Sequence, residues 1–429
     1  MNMKIYNIFP LLAGPFSHWT PHLERAAEMN FNWIFTNPIQ QLGRSGSLYS
    51  IQDYFAINPT LLDTQCPLAA EEQARAMIEA ANEFGLSMMI DLVVNHCAYD
   101  SELLDKHPEW FVKDNGRIAH PSCMHDGQKV VWYDLAQFDH HHSSDAEGLY
   151  LYCRDIVGYL LELGFKGFRC DAAYQIPPGF WRRLIGDVKK IQPDAVFVAE
   201  TLGCSPEQTR QTAQAGFDAV FNSSKWWDFD SPWLMEQYHL TRDVAPSISF
   251  AESHDTPRLY PEQHGNLDAV KRSYLFSALF SAGVMMPMGF EFGFAKPLHV
   301  VNTQPADWEQ TDVDITAFIR EVNLIKSHYR VFQEESITEI WNASNPNVLV
   351  MWKASVHDSS QALIILNKDV WNRQYFHIDN LHHYLQHAPA LVDVSPLWPM
   401  EFLPAPFEYE LLPGMARILV TGPRVADVK

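Results

Sequence analysis

Four acidic residues, each at the end of an apolar run typical of a β-strand, constrain this chain more than any other feature of its sequence. The runs are LSMMIDLVVNH (86–96), GFKGFRCDAAY (164–174), AVFVAETLG (195–203) and ISFAESHDT (248–256). The acids they carry are Asp91, Asp171, Glu200 and Asp255. Because burying a carboxylate without partners costs roughly several kcal/mol, a purely structural role for all four is a weak explanation. If the strands are parallel neighbours, the four carboxylates meet at one edge of the sheet.

The order of strand-like and helix-like segments predicts the fold. They alternate over the first three quarters of the chain, which is typical of a parallel sheet with helical crossovers. About eight such units over roughly 330 residues favour an α/β fold of the (β/α)8 TIM-barrel type over an open sheet. Active sites of these barrels lie at the carboxyl ends of the strands, where the four acids fall. No GxGxxG motif or P-loop is present, which argues against a nucleotide-binding enzyme.

Changes in pattern along the chain predict three parts. The barrel takes residues 1–96 and 145–335. Residues 97–144 are rich in His, Asp and Trp without a regular period, and they predict a subdomain inserted after the third strand. From residue 336 to residue 429 the chain consists of short strands separated by turn residues, which predicts a C-terminal antiparallel β-sandwich domain.

Charge and composition limit the partners. The net charge of −21 argues against nucleic acid and against an anionic membrane surface as partners, because both attract an excess of Lys and Arg. It says nothing against a neutral polymer. The six cysteines show no CxxC spacing, so we expect reduced thiols and no zinc site.

The sequence contains no run of eighteen apolar residues, so we expect no membrane-spanning helix. The N-terminal segment MNMKIYNIFPLLAG is mildly apolar, but Asn7 and Pro10 interrupt it, and we interpret it as the first barrel strand and not as a signal peptide. This interpretation predicts a cytoplasmic protein, with signal-independent export left open.

Carboxyl groups gathered at one barrel opening suit the cleavage of a glycosidic bond. That reaction needs one carboxyl as acid and, when configuration is retained, a second as nucleophile about 5 Å away. The alternative is a set of structural ion pairs at the barrel rim. The number of acids and their repeated position at strand ends favour the chemical explanation.

Four short motifs, in order along the chain, resemble those of the α-amylase family, glycoside hydrolase family 13. They are DLVVNH (91–96), GFRCDAAY (167–174), AETLG (199–203) and ESHD (252–255). Each motif alone is weakly specific, whereas four in order, each closing a strand, are strongly specific. The resemblance covers nearly the whole chain and includes the insertion and the C-terminal domain.

The resemblance implies a role for each motif residue. Asp171 would be the nucleophile, Glu200 the general acid/base and Asp255 the stabiliser of the transition state. Arg169 would keep Asp171 ionised, since a nearby cation favours the charged form of a carboxyl group. Residues implied to bind or support the reacting sugar are Tyr49, Asp91, His96, Arg169 and His254.

The implied substrate is an α-1,4-glucan: glycogen, starch or a maltooligosaccharide. Our leading prediction is hydrolysis with retention of configuration. The alternative is glycosyl transfer, in which a second sugar or phosphate takes the place of water. A remote alternative is a sugar-binding protein without activity, but such proteins usually lack one of the acids. Exo or endo action, α-1,4 or α-1,6 preference and the oligomeric state are left open.

The second motif departs from the common family pattern. Tyr174 and Gln175 stand where many α-amylases carry Lys-His. In many relatives a calcium ion binds the first-motif asparagine, here Asn95, together with carboxylates and the main-chain oxygen of that histidine. A calcium site at Asn95 is therefore left open, and no other cofactor is expected. The missing lysine contacts the acceptor side in the family, so the departure favours transfer.

Overall fold

The computed structural model describes residues 2–125, 128–381, 385, 391–422 and 424–425. Eight parallel strands close into a barrel, and neighbours in the barrel follow the order of the chain. These strands are β1 (Met3–Ile8), β2 (Trp33–Thr36), β3 (Ser87–Leu92), β4 (Gly167–Cys170), β5 (Val196–Ala199), β6 (Ala219–Phe221), β7 (Ser247–Phe250) and β8 (Gly283–Pro287). The predicted TIM barrel is confirmed.

Apolar side chains from alternate strand positions fill the inside of the barrel. Phe35, Met89, Val198 and Ile248 belong to one buried cluster there. Their neighbours along each strand face outward and pack under the helices, as the two-residue period of a strand requires. Gly283 is needed for close packing, since a Cβ at this position would lie 2.6 Å from a side-chain carbon of Ile248.

Helices surround the barrel and connect its strands. The α-helices are Pro10–Ala13, Thr20–Glu28, Ala70–Glu83, Leu103–Lys106, Ala146–Leu163, Pro178–Ile191, Pro206–Ala213, Trp233–Thr241, Leu259–Glu262, Leu267–Phe280 and Thr316–His328. Short 3-10 helices are Phe16–His18, Pro59–Leu61, Pro108–Trp110, Ala173–Gln175, Ser224–Trp226, Phe290–Phe292, Pro305–Asp307 and Arg330–Phe332. In the described part of the chain, no helix combines the length and the apolar character needed to cross a bilayer.

Between β3 and β4 the chain leaves the alternating pattern and forms small antiparallel sheets. The paired strands are His96–Ala98 with Leu135–Gln137, Lys113–Asp114 with Arg117–Ile118, and Ser122–His125 with Gln128–Val131. The first pair starts at His96, four residues after the end of β3, and therefore connects the insertion directly to the opening of the barrel. The boundaries 97–144 remain a prediction.

An antiparallel pair, Gln40–Leu42 with Ile51–Ile57, follows β2 and was not predicted. Its register is interrupted twice. An irregular pair this short gives no clear two-residue period in the sequence. The pair matters for the site because its connecting loop carries Tyr49.

The C-terminal region forms two antiparallel sheets, as predicted. Its strands are β9 (Ile337–Trp341), β10 (Val348–Ala354), β11 (Gln361–Asn367), β12 (Gln374–Ile378), β13 (Val392–Asp393), β14 (Phe407–Leu411) and β15 (Ala416–Thr421). Five strands form one sheet in the order β9-β10-β11-β15-β13, and β12 pairs with β14 in the other. Val350, Leu363, Phe376 and Phe407 share one core between the two sheets.

Candidate active site

The barrel brings all four predicted acids to its carboxyl-end opening, which we call the barrel mouth. Asp91 lies within β3, Asp171 and Glu200 directly follow β4 and β5, and Asp255 lies in the loop after β7. Cys170 and Ala199 are register partners on adjacent strands, so Asp171 and Glu200 are the next pair along them. Neighbouring strands are about 4.8 Å apart.

Arg169 is the cation that connects three of these acids. Its Nη1 donates to both carboxylate oxygens of Asp91 at 2.9 Å and to Asp171 Oδ1 at 2.7 Å. Its Nη2 lies 3.7 Å from Asp255 Oδ2. The side chain is only 4% exposed, so its charge is poorly screened by water and acts strongly on the carboxylates. Arg169 and Asp171 therefore form a direct ion pair at the end of β4.

The backbone just after Asp171 has an uncommon conformation. Ala172 lies in the left-handed region, with φ 43° and ψ 40°, which costs a residue other than glycine roughly 1 kcal/mol or more. This conformation directs the N–H of Ala172 to Glu200 Oε2 at 3.0 Å. The strained residue therefore links the two neighbouring acids, and the sequence offered no signal for it.

Glu200 is held by backbone donors in a buried position. Its Oε1 accepts the N–H of Leu202 at 2.6 Å, and its Oε2 accepts that of Ala172. Each oxygen has a second lone pair, so either can still carry a proton. Burial raises the pKa of Glu200 to about 7; Arg169 and the Leu202 N–H oppose the rise, and Asp171 and Asp255 add to it. The sequence gave no cause for this rise.

Asp255 differs from Glu200 because its pKa is lowered and not raised. Its Oδ2 lies 3.0 Å from His254 Nε2, and its side chain is 46% exposed. Partial desolvation would raise the pKa of Asp255, but His254 and Arg169 outweigh it and lower that pKa to about 2. Because exposure weakens the desolvation, we regard an ionised Asp255 as the state at neutral pH. The barrel mouth thus holds an ionised carboxylate close to a buried acid of raised pKa.

The Tyr49 hydroxyl contacts three residues of the site. It donates to Asp91 Oδ2 at 2.7 Å, contacts His254 Nε2 at 2.7 Å and accepts from Asn37 Nδ2 at 3.0 Å. The rings of Tyr49 and His254 are nearly parallel, with centroids 6.0 Å apart. Asn37, which directly follows β2, was not predicted, although a polar residue at the end of a strand was the available signal.

The two motif histidines carry nitrogen atoms without a hydrogen bond. His96 is 6% exposed, and neither ring nitrogen makes a well-formed hydrogen bond within the described residues; the same is true of His254 Nδ1. Burial lowers the pKa of His96, although Asp171 and the Tyr49 carbonyl oppose this. Buried polar atoms are nearly always paired, so these nitrogens are candidates to bind hydroxyl groups of a ligand.

The side chains around Asn95 bind one another, and among the described residues no group of three His, Cys, Asp or Glu ligands lies there. Asn95 Nδ2 donates to Gln175 Oε1 at 3.0 Å, so the side-chain oxygen of Gln175 is already paired. His140 Nε2 lies 2.6 Å from the Val94 carbonyl, and a nitrogen is a poor ligand for calcium. The Asp139 carboxylate accepts the N–H groups of two following residues. Amide and imidazole contacts connect the barrel to the insertion here.

The raised pKa of Glu200 predicts a pH-dependent stability effect. Between its ordinary pKa of 4.5 and its folded value of about 7, folding requires this carboxyl group to keep its proton. Its stabilising contribution is therefore complete below 4.5 and is lost as the pH rises through about 7. Glu200→Gln removes the titration. The free energy of unfolding of the variant relative to the wild type should rise by about 2–3 kcal/mol between pH 4.5 and pH 8.

Urea unfolding of both proteins at the two pH values measures this difference. Glu207→Gln, which changes an exposed glutamate on the helix Pro206–Ala213, is the matched control and should show no such rise. An equal effect of Glu200→Gln at both pH values would mean that Glu200 is not a buried acid of raised pKa.

Similarity to known proteins agrees with this site. Residues 2–114 match the family model of the glucanotransferase domain of glycogen debranching enzyme. An α-1,4-glucan:maltose-1-phosphate maltosyltransferase of Burkholderia pseudomallei is 27% identical over 378 residues, which are 84% of this chain and 32% of that protein. A cyclomaltodextrinase of Geobacillus thermopakistaniensis is 23% identical and covers 81% of this chain and 61% of its own length.

Solved structures share the fold. A maltogenic α-amylase from Thermotoga neapolitana has a TM-score of 0.74 at 21% identity and covers 98% of this chain and 96% of its own. An α-amylase from Anoxybacillus has a TM-score of 0.78 at 15% identity, with 99% of each chain covered. The chain spans between 32% and 63% of the length of the first three curated relatives. With its four motifs, its closed barrel and these relatives, the chain is similar to the α-amylase family, glycoside hydrolase family 13.

Proposed function

We propose that this enzyme transfers α-linked glucosyl units to an α-1,4-glucan with retention of configuration. The proposed reaction class rests on the positions of Asp171 and Glu200 at the ends of neighbouring strands. Arg169 Nη1 donates a hydrogen bond to Asp171 Oδ1 at 2.7 Å, whereas burial raises the pKa of Glu200 to about 7. A carboxyl group in contact with a cation and a protonable carboxyl group on the neighbouring strand fit a retaining mechanism.

In the first step, an oxygen of Asp171 bonds to the anomeric carbon of the donor sugar. The bond from that carbon to the leaving oxygen breaks, and the leaving oxygen takes the proton of Glu200. Asp255, ionised and 46% exposed, would stabilise positive charge on the sugar in the transition state. Tyr49 and the unpaired nitrogens of His96 and His254 would hold the sugar.

In the second step, Glu200 is ionised and acts as a base. It removes the proton from a hydroxyl group of the acceptor, and the acceptor oxygen bonds to the anomeric carbon. The bond to Asp171 then breaks, and the carboxylate returns to its pair with Arg169. Two inversions at the same carbon give net retention.

Transfer is better supported than our leading prediction of hydrolysis. The relatives matched over most of this chain include maltosyltransferases from several bacteria. The half-buried Leu202, two residues after Glu200, lines a cleft with Asp255 and His254. An apolar side chain beside the acid disfavours a bound water and suits a sugar ring. Hydrolysis is the second candidate, because a cyclomaltodextrinase is also among the relatives.

Product analysis distinguishes the two reactions. Maltoheptaose is incubated with the enzyme, with and without maltose 1-phosphate, the donor in the maltosyltransferases' names, and products are measured by mass spectrometry. Longer chains together with free phosphate, formed only with both sugars, are expected for maltosyl transfer. Shorter chains alone would establish hydrolysis, and longer chains without the phosphate donor would indicate exchange between glucans. No change in either sugar would contradict activity on α-glucans.

A further inference from the structure

Trp226 is a half-exposed aromatic residue at the barrel mouth to which the four motifs assign no role. It ends the short 3-10 helix Ser224–Trp226, which follows β6, and its side chain is 51% exposed. Exposing a tryptophan costs free energy because its large apolar surface remains in water. An indole in this position is explained if a ligand covers it.

Ring contacts connect Trp226 to the catalytic cleft. Its indole packs edge-on against Phe250, with centroids 6.1 Å apart, and Phe250 packs in the same manner against Phe221. Phe221 lines one cleft together with Arg169 and Asp255. The loop itself is fixed to the end of β7, since Ser224 Oγ donates to the Phe250 carbonyl at 3.5 Å. Trp226 therefore stands on a fixed loop and is connected to the cleft residue Phe221 through Phe250.

The order of the barrel strands places Trp226 on the side of the barrel mouth opposite Tyr49. Tyr49 belongs to the loop after β2, and β6 lies opposite β2 in the ring of eight strands. Glu200, at the end of β5, is next to β6. Because the proton of Glu200 goes to the leaving oxygen, the leaving group must lie on the side of Glu200. The acceptor occupies the same place in the second step.

We propose that the indole of Trp226 stacks against a sugar ring of the acceptor glucan. This inference rests on the proposed function, since it assigns a specificity residue to that site. The apolar C–H face of a glucose unit matches the flat face of an indole, while its hydroxyl groups remain in water. An acceptor bound in this way excludes water from the glycosyl-enzyme and favours transfer over hydrolysis.

The test uses binding as well as kinetics, so that it does not depend on which reaction occurs. Maltoheptaose is titrated calorimetrically into the inactive Asp171→Asn variant, with and without Trp226→Ala. Losing one aromatic contact is expected to weaken binding about ten-fold. Trp226→Phe should recover most of it. Trp371→Ala, which removes a tryptophan that is 65% exposed in the C-terminal region, is the matched control and should bind normally.

In the otherwise native enzyme, Trp226→Ala should raise the KM for maltoheptaose about ten-fold and change kcat by less than about two-fold. Unchanged affinity in the Asp171→Asn background would overturn the inference, even if the wild type transfers glucosyl units. A parallel fall of kcat and thermal stability, without a KM effect, would also overturn it by showing a structural role. A wild type that only hydrolyses would reject transfer, while the titration would still decide the role of Trp226.

Discussion

Replacing Asp171 by Asn is expected to lower kcat by about four orders of magnitude or more on any α-glucan donor. An amide nitrogen or oxygen is a far weaker nucleophile than a carboxylate, so the covalent intermediate does not form. The side chain keeps its size and can still accept from Arg169, which now holds Asp171 Oδ1 at 2.7 Å. The loss should therefore be catalytic and not structural.

Initial rates of product formation from maltoheptaose measure this effect. Asp243→Asn, which alters an aspartate that is 83% exposed, is the control and should retain full activity. Circular dichroism and Tm should show that both variants are folded. Residual activity of Asp171→Asn above about one per cent, with a folded protein, would mean that another group is the nucleophile.

Replacing Glu200 by Gln is expected to lower the rate of the first step about a thousand-fold or more with oligosaccharides but much less with α-maltosyl fluoride. The leaving sugar needs a proton from Glu200, whereas fluoride leaves without one. The role of Glu200 as proton donor also determines how the wild-type rate depends on pH. Glu200 must be protonated in the first step, and burial raises its pKa to about 7, so wild-type activity on oligosaccharides should fall as the pH rises above about 7.

The comparison of the two donors over a range of pH checks this assignment when it is made on the first turnover, because Glu200 is also the base of the second step. In the Glu200→Gln variant, fluoride release should lack the alkaline decline, because the titrating group is absent. Equal losses with both donors, or an alkaline decline that persists in the variant, would show that a different residue supplies the proton.

Much of the fold could be predicted because the barrel strands have a simple chemical pattern. The four motif strands each consist of a few apolar residues followed by polar ones at the barrel mouth. Thus the run ending in Asp171 and that ending in Glu200 indicated both the strands and the acids. The hairpin that carries Tyr49 escaped prediction because its irregular register breaks the two-residue period.

The electrostatic states could be predicted only in part. The resemblance of the second motif to the family pattern implied that Arg169 lies beside Asp171, and the two side chains are joined by a hydrogen bond of 2.7 Å. Burial of Glu200 depends on packing from several distant segments. Likewise, the left-handed conformation of Ala172 is imposed by the surrounding structure, because alanine itself does not favour it.

Tyr174 and Gln175, which stand where many α-amylases carry Lys-His, change the surroundings of the calcium site that the resemblance implies. The sequence left a calcium site at Asn95 open, and the structure pairs Asn95 with Gln175 by a direct amide hydrogen bond. An uncharged amide pair connects the first and second motifs. This pairing is a property of these two side chains and was not evident from the motifs alone.

The most direct test of the central claim is to capture the glycosyl group on the enzyme. The Glu200→Gln variant is mixed with α-maltosyl fluoride, stopped with acid after a short time, digested with a protease and analysed by mass spectrometry. We expect one maltosyl group attached through an ester to the peptide that contains Asp171. An adduct on another residue, or rapid release of fluoride without any adduct, would contradict it.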